Sequence, residues 1–326
     1  MKENAYECLL FALEEDYLRA RASLRDLYDM LMPSKMKVVG PAGLEKYVLE
    51  DARKTGLGEK LIFLDETTLL SFDAVKEAYE NRIREAAALY QWKESAVRTG
   101  WYYQQFLKMA YCRHCSQEYY LCWDIDTLPL RPISMIHANG KPIFDVKWEY
   151  IPYYFEMIGD LLGIGRCIEQ SFISEHMLFR AEFMKAMLEE IERRDLPGDH
   201  FYEKIISCIK HPRMGFSEFE TYGCWVASHH PEAYVIRDWK SIRNTNFLID
   251  RNDVNEEDIA FLASGFYAAS FEKYQKTVGF LQELFRNPRY REKLTADILY
   301  QELLEEEIFG DYNGRSLIKG DCLMAT

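Results

Sequence analysis

The sequence predicts an α/β fold in which a mostly parallel sheet is flanked by helices. Strand-like and helix-like segments alternate through roughly the first 130 residues, as is typical of βα units. An uninterrupted apolar run from Tyr119 to Trp123 then stops at Asp124, as expected of a strand buried on both faces. From Asn255 to Phe309 the pattern is helical, so a helical C-terminal region should follow the sheet.

The alternation gives the order of elements in the first part of the chain. We expect strands over Tyr6–Leu13, Met36–Val39, Leu61–Leu64 and Tyr119–Trp123, and helices over Asp16–Met30, Phe72–Tyr90 and Trp101–Tyr111. Gly40-Pro41 ends the second strand, because glycine and proline are disfavoured in strand interiors.

After Asp126 the pattern becomes less regular. Ile133–Ile136 and Ile143–Val146 flank Asn139-Gly140, a hairpin signal. Further helices are expected over Pro152–Leu162, Phe179–Arg194, Tyr202–Lys210 and Glu218–Ser228, and short strands over Ser171–Ser174 and Tyr234–Ile236. We divide the chain into a catalytic domain, residues 1–250, and a helical extension packed on it, residues 251–326.

Composition narrows the classes of function. The 326 residues are 48% hydrophobic, which is enough for a substantial core. A net charge of −13 argues against a nucleic-acid backbone as the main partner, because there is no basic excess to displace counterions. An anionic substrate would therefore need local cations or a metal ion.

We expect a cytoplasmic protein without a transmembrane segment. The apolar stretch Cys8–Leu13 is too short for a signal peptide and is flanked by glutamates, and no apolar run approaches the length of a membrane span. The eight cysteines are scattered, as reduced thiols commonly are. Cys112 and Cys115 form a lone C-x-x-C without a second pair, so we expect neither zinc nor redox chemistry there.

Asp124 and Asp126 are the first candidate site residues. Extended residues two apart point to the same side, and ligands of open α/β sheets bind beyond the carboxyl ends of strands. Two carboxylates suit Mg²⁺ or Mn²⁺, which is often shared with substrate phosphates. Turn chemistry is the alternative, because Asp caps its own backbone and Pro129 and Pro132 follow closely.

The helix before this strand carries a polar face. Trp101, Gln104 or Gln105, and Lys108 share that face at helical spacing, and two amides with a lysine could bind a sugar hydroxyl and a phosphate. A solvated helix face explains the same pattern.

Several segments together resemble a known family. An Arg-x-Gly-Trp-Tyr-x-Gln-Gln-x-x-Lys helix spans Arg98–Lys108, and the Asp-x-Asp strand follows it. Glu175-His176-Met177 and the Phe-Ser-Glu-aromatic-Glu segment Phe216–Glu220 come later. In this order, they resemble an uncharacterised bacterial family of DxD glycosyltransferases with a GT-A fold, distantly similar to glycogenin. The resemblance covers about residues 5–245.

The resemblance implies a metal-dependent enzyme that moves a sugar from a nucleoside diphosphate sugar, a UDP-sugar first, to a hydroxyl of a glycan or another acceptor. Asp124 and Asp126 would then hold Mn²⁺ or Mg²⁺. Donor contacts are expected from Arg98, Gln104, Gln105 and Lys108, and, on topology alone, from Asp16 and Glu66. No late histidine matches the third metal ligand of glycogenin-like enzymes.

The acceptor side is less defined. Glu218 or Glu220 could deprotonate an acceptor hydroxyl. Ser217 at an N-cap with Glu220 at N3 also forms a capping box. His176, with Glu175, is expected as an acceptor contact or third metal ligand, and a buried structural histidine is the alternative.

Two other functions remain open from the sequence. Asp124-Ile125-Asp126-Thr127 approximates the motif of haloacid-dehalogenase-like phosphatases, although that motif usually has a glycine before the threonine and an N-terminal position. Release of free phosphate would favour it. A non-catalytic nucleotide-sugar-binding protein is the third possibility, and failure to bind Mn²⁺ and nucleotide would favour a scaffold role.

Overall fold

The structure, a computed structural model, describes residues 6–90, 98–211, 214–293, 296 and 298. Within these residues the largest sheet has the strand order β3-β2-β1-β4-β7. Its strands are β1 (Tyr6–Phe11), β2 (Lys35–Gly40), β3 (Leu61–Asp65), β4 (Tyr119–Asp124) and β7 (His176–Arg180). The first four are parallel, and β7 is an antiparallel edge strand beside β4.

Helices cover both faces of this sheet, which confirms the predicted α/β fold with a mainly parallel sheet. The helices are α1 (Glu14–Ala20), α2 (Leu24–Leu31), α3 (Glu45–Lys54), α4 (Phe72–Tyr90), α5 (Thr99–Ala110), α6 (Pro152–Leu162), α7 (Ala181–Arg193), α8 (Phe201–Ser207) and α9 (Glu218–His229). The side chains of strand β1 point alternately into two hydrophobic cores, one on each face of the sheet. Leu9 and Phe11 pack in the core with α5, α7 and α9, whereas Cys8 and Leu10 pack in the core with α1, α2 and α3.

Two small sheets complete the described fold. One joins β5 (Thr127–Pro129), β10 (Ala268–Ser270) and β9 (Ser241–Ile242), and the other joins β6 (Ile143–Val146) and β8 (Val235–Asp238). Ser270 pairs with Thr127 in antiparallel register, so β10 brings the residues after it next to Asp126. Strand β6 is parallel to β8, which the sequence did not predict.

The prediction that residues 255–309 are wholly helical is wrong for the described part. Helices α10 (Thr245–Leu248), α11 (Glu256–Ala263), α12 (Gly279–Arg286) and α13 (Pro288–Arg291) are present, but β10 lies between α11 and α12. Residues 299–309 lie outside the described residues. Strand β10, which lies after residue 250, pairs with both β5 and β9, which lie before it. The region after residue 250 therefore shares a sheet with the region before it. The division at residue 250 stays a prediction.

Three further local predictions differ from the structure. The helix expected over Asp16–Met30 is divided into α1 and α2 by a 3₁₀ turn. Ile133–Ile136 forms no strand and contributes one isolated bridge, from Ile136 to Pro142 across the Gly140 turn, where Gly140 has a φ of +85°. Ser171–Ser174 is also irregular, because the strand begins later, at His176.

No helix among the described residues combines the length and the apolar character needed to cross a membrane.

Candidate functional site

The two aspartates lie where the sequence places them, at the carboxyl edge of the main sheet. Asp124 is the last residue of β4 and is paired with Phe11, the last residue of β1. Its main-chain N–H donates to the carbonyl of Glu175 at 2.9 Å. Asp126 follows in the connection to β5, and its carbonyl accepts from the N–H of Phe271 at 2.9 Å. The edge therefore collects residues from β4, β7 and the segment after β10.

Lys108 on α5 is buried beneath this edge, with 4% of its surface exposed. Its Nζ lies 3.0 Å from Oδ1 of Asp124 and 2.8 Å from Oε1 of Glu218. Burial lowers the pKa of Lys108, but the carboxylates of Asp124 and Glu218 outweigh burial and raise that pKa above its usual value. The Nζ also lies 4.3 Å from the centre of the Phe219 ring. Lys108 is thus a permanently charged link between α5, β4 and α9.

Gln105 strengthens the same link. Its Oε1 accepts a hydrogen bond of 3.0 Å from the main-chain N–H of Glu218, in the first turn of α9. Gln105 and Lys108 are both buried, whereas Gln104 is half-buried and Arg98 is exposed. The solvated-face alternative is therefore wrong for Gln105 and Lys108, because α9 covers that part of the α5 surface. Arg98 lies over the Trp101 ring at 5.9 Å.

Asp126 is surrounded by other acids. Among the described residues, no basic group lies within 4 Å of its carboxylate, and Thr127 Oγ1 donates to it weakly at 3.5 Å. Burial, Glu272 and Asp124 together raise the pKa of Asp126 to about 8, against the opposite effects of Arg251 and Arg243. The pKa of Glu272 is also raised, first by burial. An ionised Asp126 would therefore carry a negative charge that the described side chains leave incompletely neutralised.

The donor chemistry fits a hard divalent cation, although a complete ligand set is not assembled. Among the described ranges, no three His, Cys, Asp or Glu side chains come together closely enough to hold a metal ion. Asp124, Asp126 and Glu272 supply only oxygen donors, which Mg²⁺ and Mn²⁺ prefer. The raised pKa of Asp126 shows that a positive charge beside it would be stabilising.

A second buried charge cluster adjoins Asp124 and is centred on Glu175. The Glu175 carboxylate pairs with Lys147 and accepts hydrogen bonds from Trp239 Nε1 at 2.7 Å and Ser241 Oγ at 2.8 Å. Although burial alone would raise the pKa of Glu175, Lys147 and Arg243 lower it to about 2. Glu175 is therefore an anion fixed in place by its neighbours. It has the character of a structural anchor.

Arg243 connects this cluster to the open side of the site. Its guanidinium lies 3.5 Å from Glu175 and 3.9 Å from Glu149. Burial lowers the pKa of Arg243, but Glu149, Glu175, Glu272 and Asp124 raise it above its usual value. Burial raises the pKa of Glu149, which has Arg243 as its nearest cation among the described residues. Arg243 thus lies between the Asp124–Glu272 acids and the Glu149 carboxylate.

These elements fall within a recognised family segment. The model of a family of unknown function, DUF6492, matches residues 57–285. The chain belongs to the DUF6492 family. The match includes α5, β4, α9 and β10, and hence Lys108, Asp124, Asp126, Glu218 and Glu272. No curated protein matches this DUF6492 chain significantly.

Several solved structures are similar to the DUF6492 chain at low identity. Apo mouse xyloside xylosyltransferase 1 is 14% identical with a TM-score of 0.46, over 84% of this chain and 99% of that one. The galactosyltransferase LgtC, in complex with donor and acceptor sugar analogues, is 13% identical with a TM-score of 0.40, over 88% and 100%. The glycosyltransferase GlyE of Streptococcus pneumoniae TIGR4 is 9% identical with a TM-score of 0.36, over 94% and 64%. These similarities are too weak to transfer an activity.

His176 of the DUF6492 chain lies in the core. Its Nε2 is 2.7 Å from Oδ2 of Asp145, and its ring stacks on Trp123 at 4.7 Å between centroids. Asp145 is also held by Arg237 through two hydrogen bonds of 2.6 Å. With 2% of its surface exposed, His176 has the environment of a structural histidine. Its predicted acceptor role remains untested.

Glu220 does not reach the site, although it lies two residues from Glu218. The Ser217 side chain accepts from the Glu220 N–H at 3.3 Å, so the predicted N-cap is present. The Glu220 carboxylate does not return to the Ser217 amide as a capping box requires. It accepts instead from the Ser171 hydroxyl and from the Phe172 N–H at 3.5 Å. Burial raises the pKa of Glu220 to about 7.

The two residues predicted from topology alone lie at the same edge of the sheet in different surroundings. Asp16 on α1 pairs with Lys273 at 3.0 Å, which ties α1 to the segment after β10. Glu66 follows β3, and burial together with Asp65 raises its pKa. Among the described residues, neither forms a hydrogen bond or an ion pair with Asp124 or Asp126.

Three site residues escaped the sequence analysis: Glu149, Arg243 and Glu272. Each lies in an irregular segment without a recognisable motif, and each approaches the aspartates only through tertiary contacts. A cavity of 490 Å³ lined by Cys115, Glu118, Lys185 and Glu189 lies at the opposite end of β4 and is not part of this site.

Proposed function

We propose that this DUF6492 chain is a metal-dependent glycosyltransferase of GT-A-like fold, which moves a sugar from a nucleoside diphosphate sugar to an acceptor hydroxyl. One observation supports this most strongly. The carboxyl end of β4 presents Asp126, an incompletely neutralised carboxylate, beside Asp124, which is held by a buried lysine. If Asp124 and Asp126 only shaped a turn, a buried lysine beside Asp124 would not be needed. A fixed pair of acids at this edge is suited to a cation and its anionic substrate.

Asp124 and Asp126 would hold the Mn²⁺ or Mg²⁺ ion, and Glu272 would approach as a further oxygen donor when the ion binds, since the three carboxylates are not gathered closely enough in this structure. Glu272 would take the part that the family resemblance gives to a late histidine, because β10 brings it next to Asp126. A bound divalent cation would neutralise the negative charge that develops on the departing diphosphate. The support is the oxygen-only donor set and the mutual repulsion of these acids.

Lys108 acts in this proposal as a positioning residue. Its Nζ fixes one oxygen of Asp124, which leaves the other oxygen available to a ligand. The same Nζ pairs with Glu218, so a single positive charge reduces the repulsion between two carboxylates at the base of the site. Gln105 fixes the start of α9. Arg98 and Gln104, nearer to solvent, would contact the donor, and Asp16 and Glu66 would contact its nucleoside.

Glu218 is the acceptor-side carboxylate that the geometry favours. Of the two predicted glutamates, it alone contacts the Lys108–Asp124 pair, whereas Glu220 is bound to Ser171. In the proposed reaction Glu218 would accept the proton of the attacking hydroxyl, while the nucleoside diphosphate leaves with the electron pair of the broken glycosidic bond. Burial, and then the charges of Glu149 and Glu218, raise the pKa of Tyr154, so Tyr154 lies within electrostatic range of both glutamates. Glu149 and Tyr154 would line the acceptor space.

A thermal-shift screen tests the proposal. The purified protein is heated with nucleoside diphosphates and their sugars, UDP-sugars first, with and without Mn²⁺. A ligand at about 100 times its Kd should add roughly 2.7 kcal/mol to the unfolding free energy, because it binds only the native state. We expect stabilisation by one class of nucleotide, only with the metal, and slow release of the nucleoside diphosphate from its sugar. No stabilisation by any nucleotide under either condition would contradict the proposal.

A further inference from the structure

Two arginines flank the connection that carries Asp126. Arg251 lies in the turn after α10, and its Nη1 donates to the carbonyl of Ile125, between the two aspartates, at 3.3 Å. Arg19 on α1 donates from Nη2 to the carbonyl of Phe271 at 3.4 Å. Phe271 in turn donates its N–H to the carbonyl of Asp126. Both guanidinium groups are therefore anchored to the main chain that holds Asp126.

Within the part of the chain that the structure describes, neither guanidinium has a carboxylate partner. Among the described residues, no Asp or Glu oxygen lies within 4 Å of Arg19 or Arg251, and the other hydrogen bond of Arg251 goes to the Ser23 hydroxyl at 3.4 Å. Some other arginines of the described residues have a carboxylate partner. Arg21 lies 2.6 Å from Asp51, and Arg237 lies 2.6 Å from Asp145.

The two guanidinium groups also lie near each other. With 53 acidic residues, carboxylates are abundant, yet Arg19 and Arg251 approach each other closely enough to repel. Arg19 donates one weak hydrogen bond to a main-chain oxygen, and Arg251 donates one to a main-chain oxygen and one to a hydroxyl oxygen. The remaining N–H groups of two nearby guanidinium forks are suited to the oxygens of a phosphate. Both side chains are partly exposed, so an anion in solution can reach them.

We propose that Arg19 and Arg251, which contact the main chain on either side of Asp126, form an anion-binding pair that holds the diphosphate of the donor. This inference rests on the proposed function, because the diphosphate is the donor's. In a chain of net charge −13, an anionic ligand needs local positive charge. Arg19 and Arg251, which belong to none of the motifs found in the sequence, would supply it. The competing explanation is that the arginines only tie the Asp126 connection, α1 and the Phe271 segment together.

Calorimetric titration distinguishes the two explanations. Inorganic pyrophosphate in the presence of a chelator, and a nucleoside diphosphate with Mn²⁺, are titrated into the wild type and the variants Arg19→Gln, Arg251→Gln and the double variant. We expect each single substitution to weaken pyrophosphate binding by about 10-fold or more, the order of one charge-assisted hydrogen bond. Arg25→Gln is the matched control, because it removes the same charge from an exposed pair with Asp29 on the neighbouring helix.

Each outcome decides one of the proposals. If the nucleoside diphosphate binds the wild type and the glutamine variants equally, the arginines only tie loops and this inference fails, while the proposed function stands. If pyrophosphate binding depends on the arginines but no nucleotide binds, the proposed function fails and the anion site stands. If neither ligand binds the wild type, both fail. If a glutamine variant unfolds, Arg19→Lys and Arg251→Lys replace it. These variants keep the positive charge but lose the paired N–H groups of the guanidinium. Unchanged pyrophosphate affinity in both lysine variants would overturn the proposed contact between the two guanidinium groups and the phosphate.

Discussion

Lys108 and Glu218 form a buried ion pair, with 2.8 Å between Nζ and Oε1 and only 5% of either side chain exposed. The same Nζ lies 3.0 Å from Asp124. One lysine therefore pairs with two carboxylates from two different elements, β4 and α9. Because these two partners are fixed by the same Nζ, the position of Asp124 at the sheet edge depends on α5 and α9 as well as on its own strand.

The first prediction concerns the stability that this lysine supplies. Lys108→Met should lower the free energy of unfolding by roughly 3–5 kcal/mol, because it leaves Asp124 and Glu218 buried without a cation. The sequence alone favoured a small effect, as for a surface lysine. Urea denaturation followed by circular dichroism measures the change.

Two variants complete that measurement. Lys76→Met removes an exposed lysine 3.9 Å from Glu80 on α4 and should change the unfolding free energy by less than about 0.5 kcal/mol. Lys108→Met combined with Glu218→Gln should recover part of the loss, because one of the two unpaired charges is removed. If Lys108→Met alone is as stable as wild type, the buried pair has no structural importance.

The second prediction concerns the pH dependence of stability from Glu220. Burial raises its pKa from 4.5 to about 7 in the folded state. The folded state thus binds the proton more tightly than the unfolded state between these values. Stability from this group is complete below pH 4.5 and declines as the pH rises towards 7, by about 3 kcal/mol in all.

The Glu220→Gln variant isolates this contribution, because glutamine does not titrate. Relative to wild type, the free energy of unfolding of this variant should increase from pH 4 to pH 8, by up to about 3 kcal/mol, because only the wild type loses stability over that range. Glu189→Gln on the exposed side of α7 is the control and should show no such trend. A difference between Glu220→Gln and wild type that stays constant over this range would contradict a buried protonated Glu220.

The third prediction compares two helical glycines. A Cβ at Gly223 on α9 would lie 2.2 Å from Cγ of Phe172, whereas a Cβ at Gly100 on α5 meets nothing within 4 Å. Gly223→Ala should cost about 1–3 kcal/mol of stability through overpacking, despite the better helix propensity of alanine. Gly100→Ala should be neutral or stabilising by up to about 1 kcal/mol. Equal thermal midpoints for the two variants would contradict this account of the α9–Phe172 contact.

The strand that carries the aspartates was predictable, and the burial of Lys108 was not. The apolar run Tyr119–Trp123 follows directly from a strand covered on both faces, and its end at Asp124 is visible in the sequence. Helical spacing placed Lys108 on a polar face, but spacing does not show which element covers that face. The covering element is α9, whose Glu218 is more than 100 residues from Lys108 in the sequence.

The rest of the site depends on contacts between distant segments. Strand β10 has three residues, Ala268–Ser270, and is too short to be recognised within an otherwise helical pattern. Its pairing with β5 nevertheless brings Glu272 to Asp126. Arg243 and Glu149 likewise meet only in the folded chain, since neither has a local pattern that distinguishes it from a surface charge.

The central claim, that Asp126 holds a divalent cation for a nucleoside diphosphate, is tested most directly by calorimetry with Asp126→Asn. Mn²⁺ alone and then UDP, with and without Mn²⁺, are titrated into the wild type, Asp126→Asn and the exposed control Asp29→Asn. We predict that the wild type and Asp29→Asn bind Mn²⁺ and bind UDP only with it, while Asp126→Asn remains folded and loses both. Unchanged Mn²⁺-dependent UDP affinity in Asp126→Asn would contradict the account.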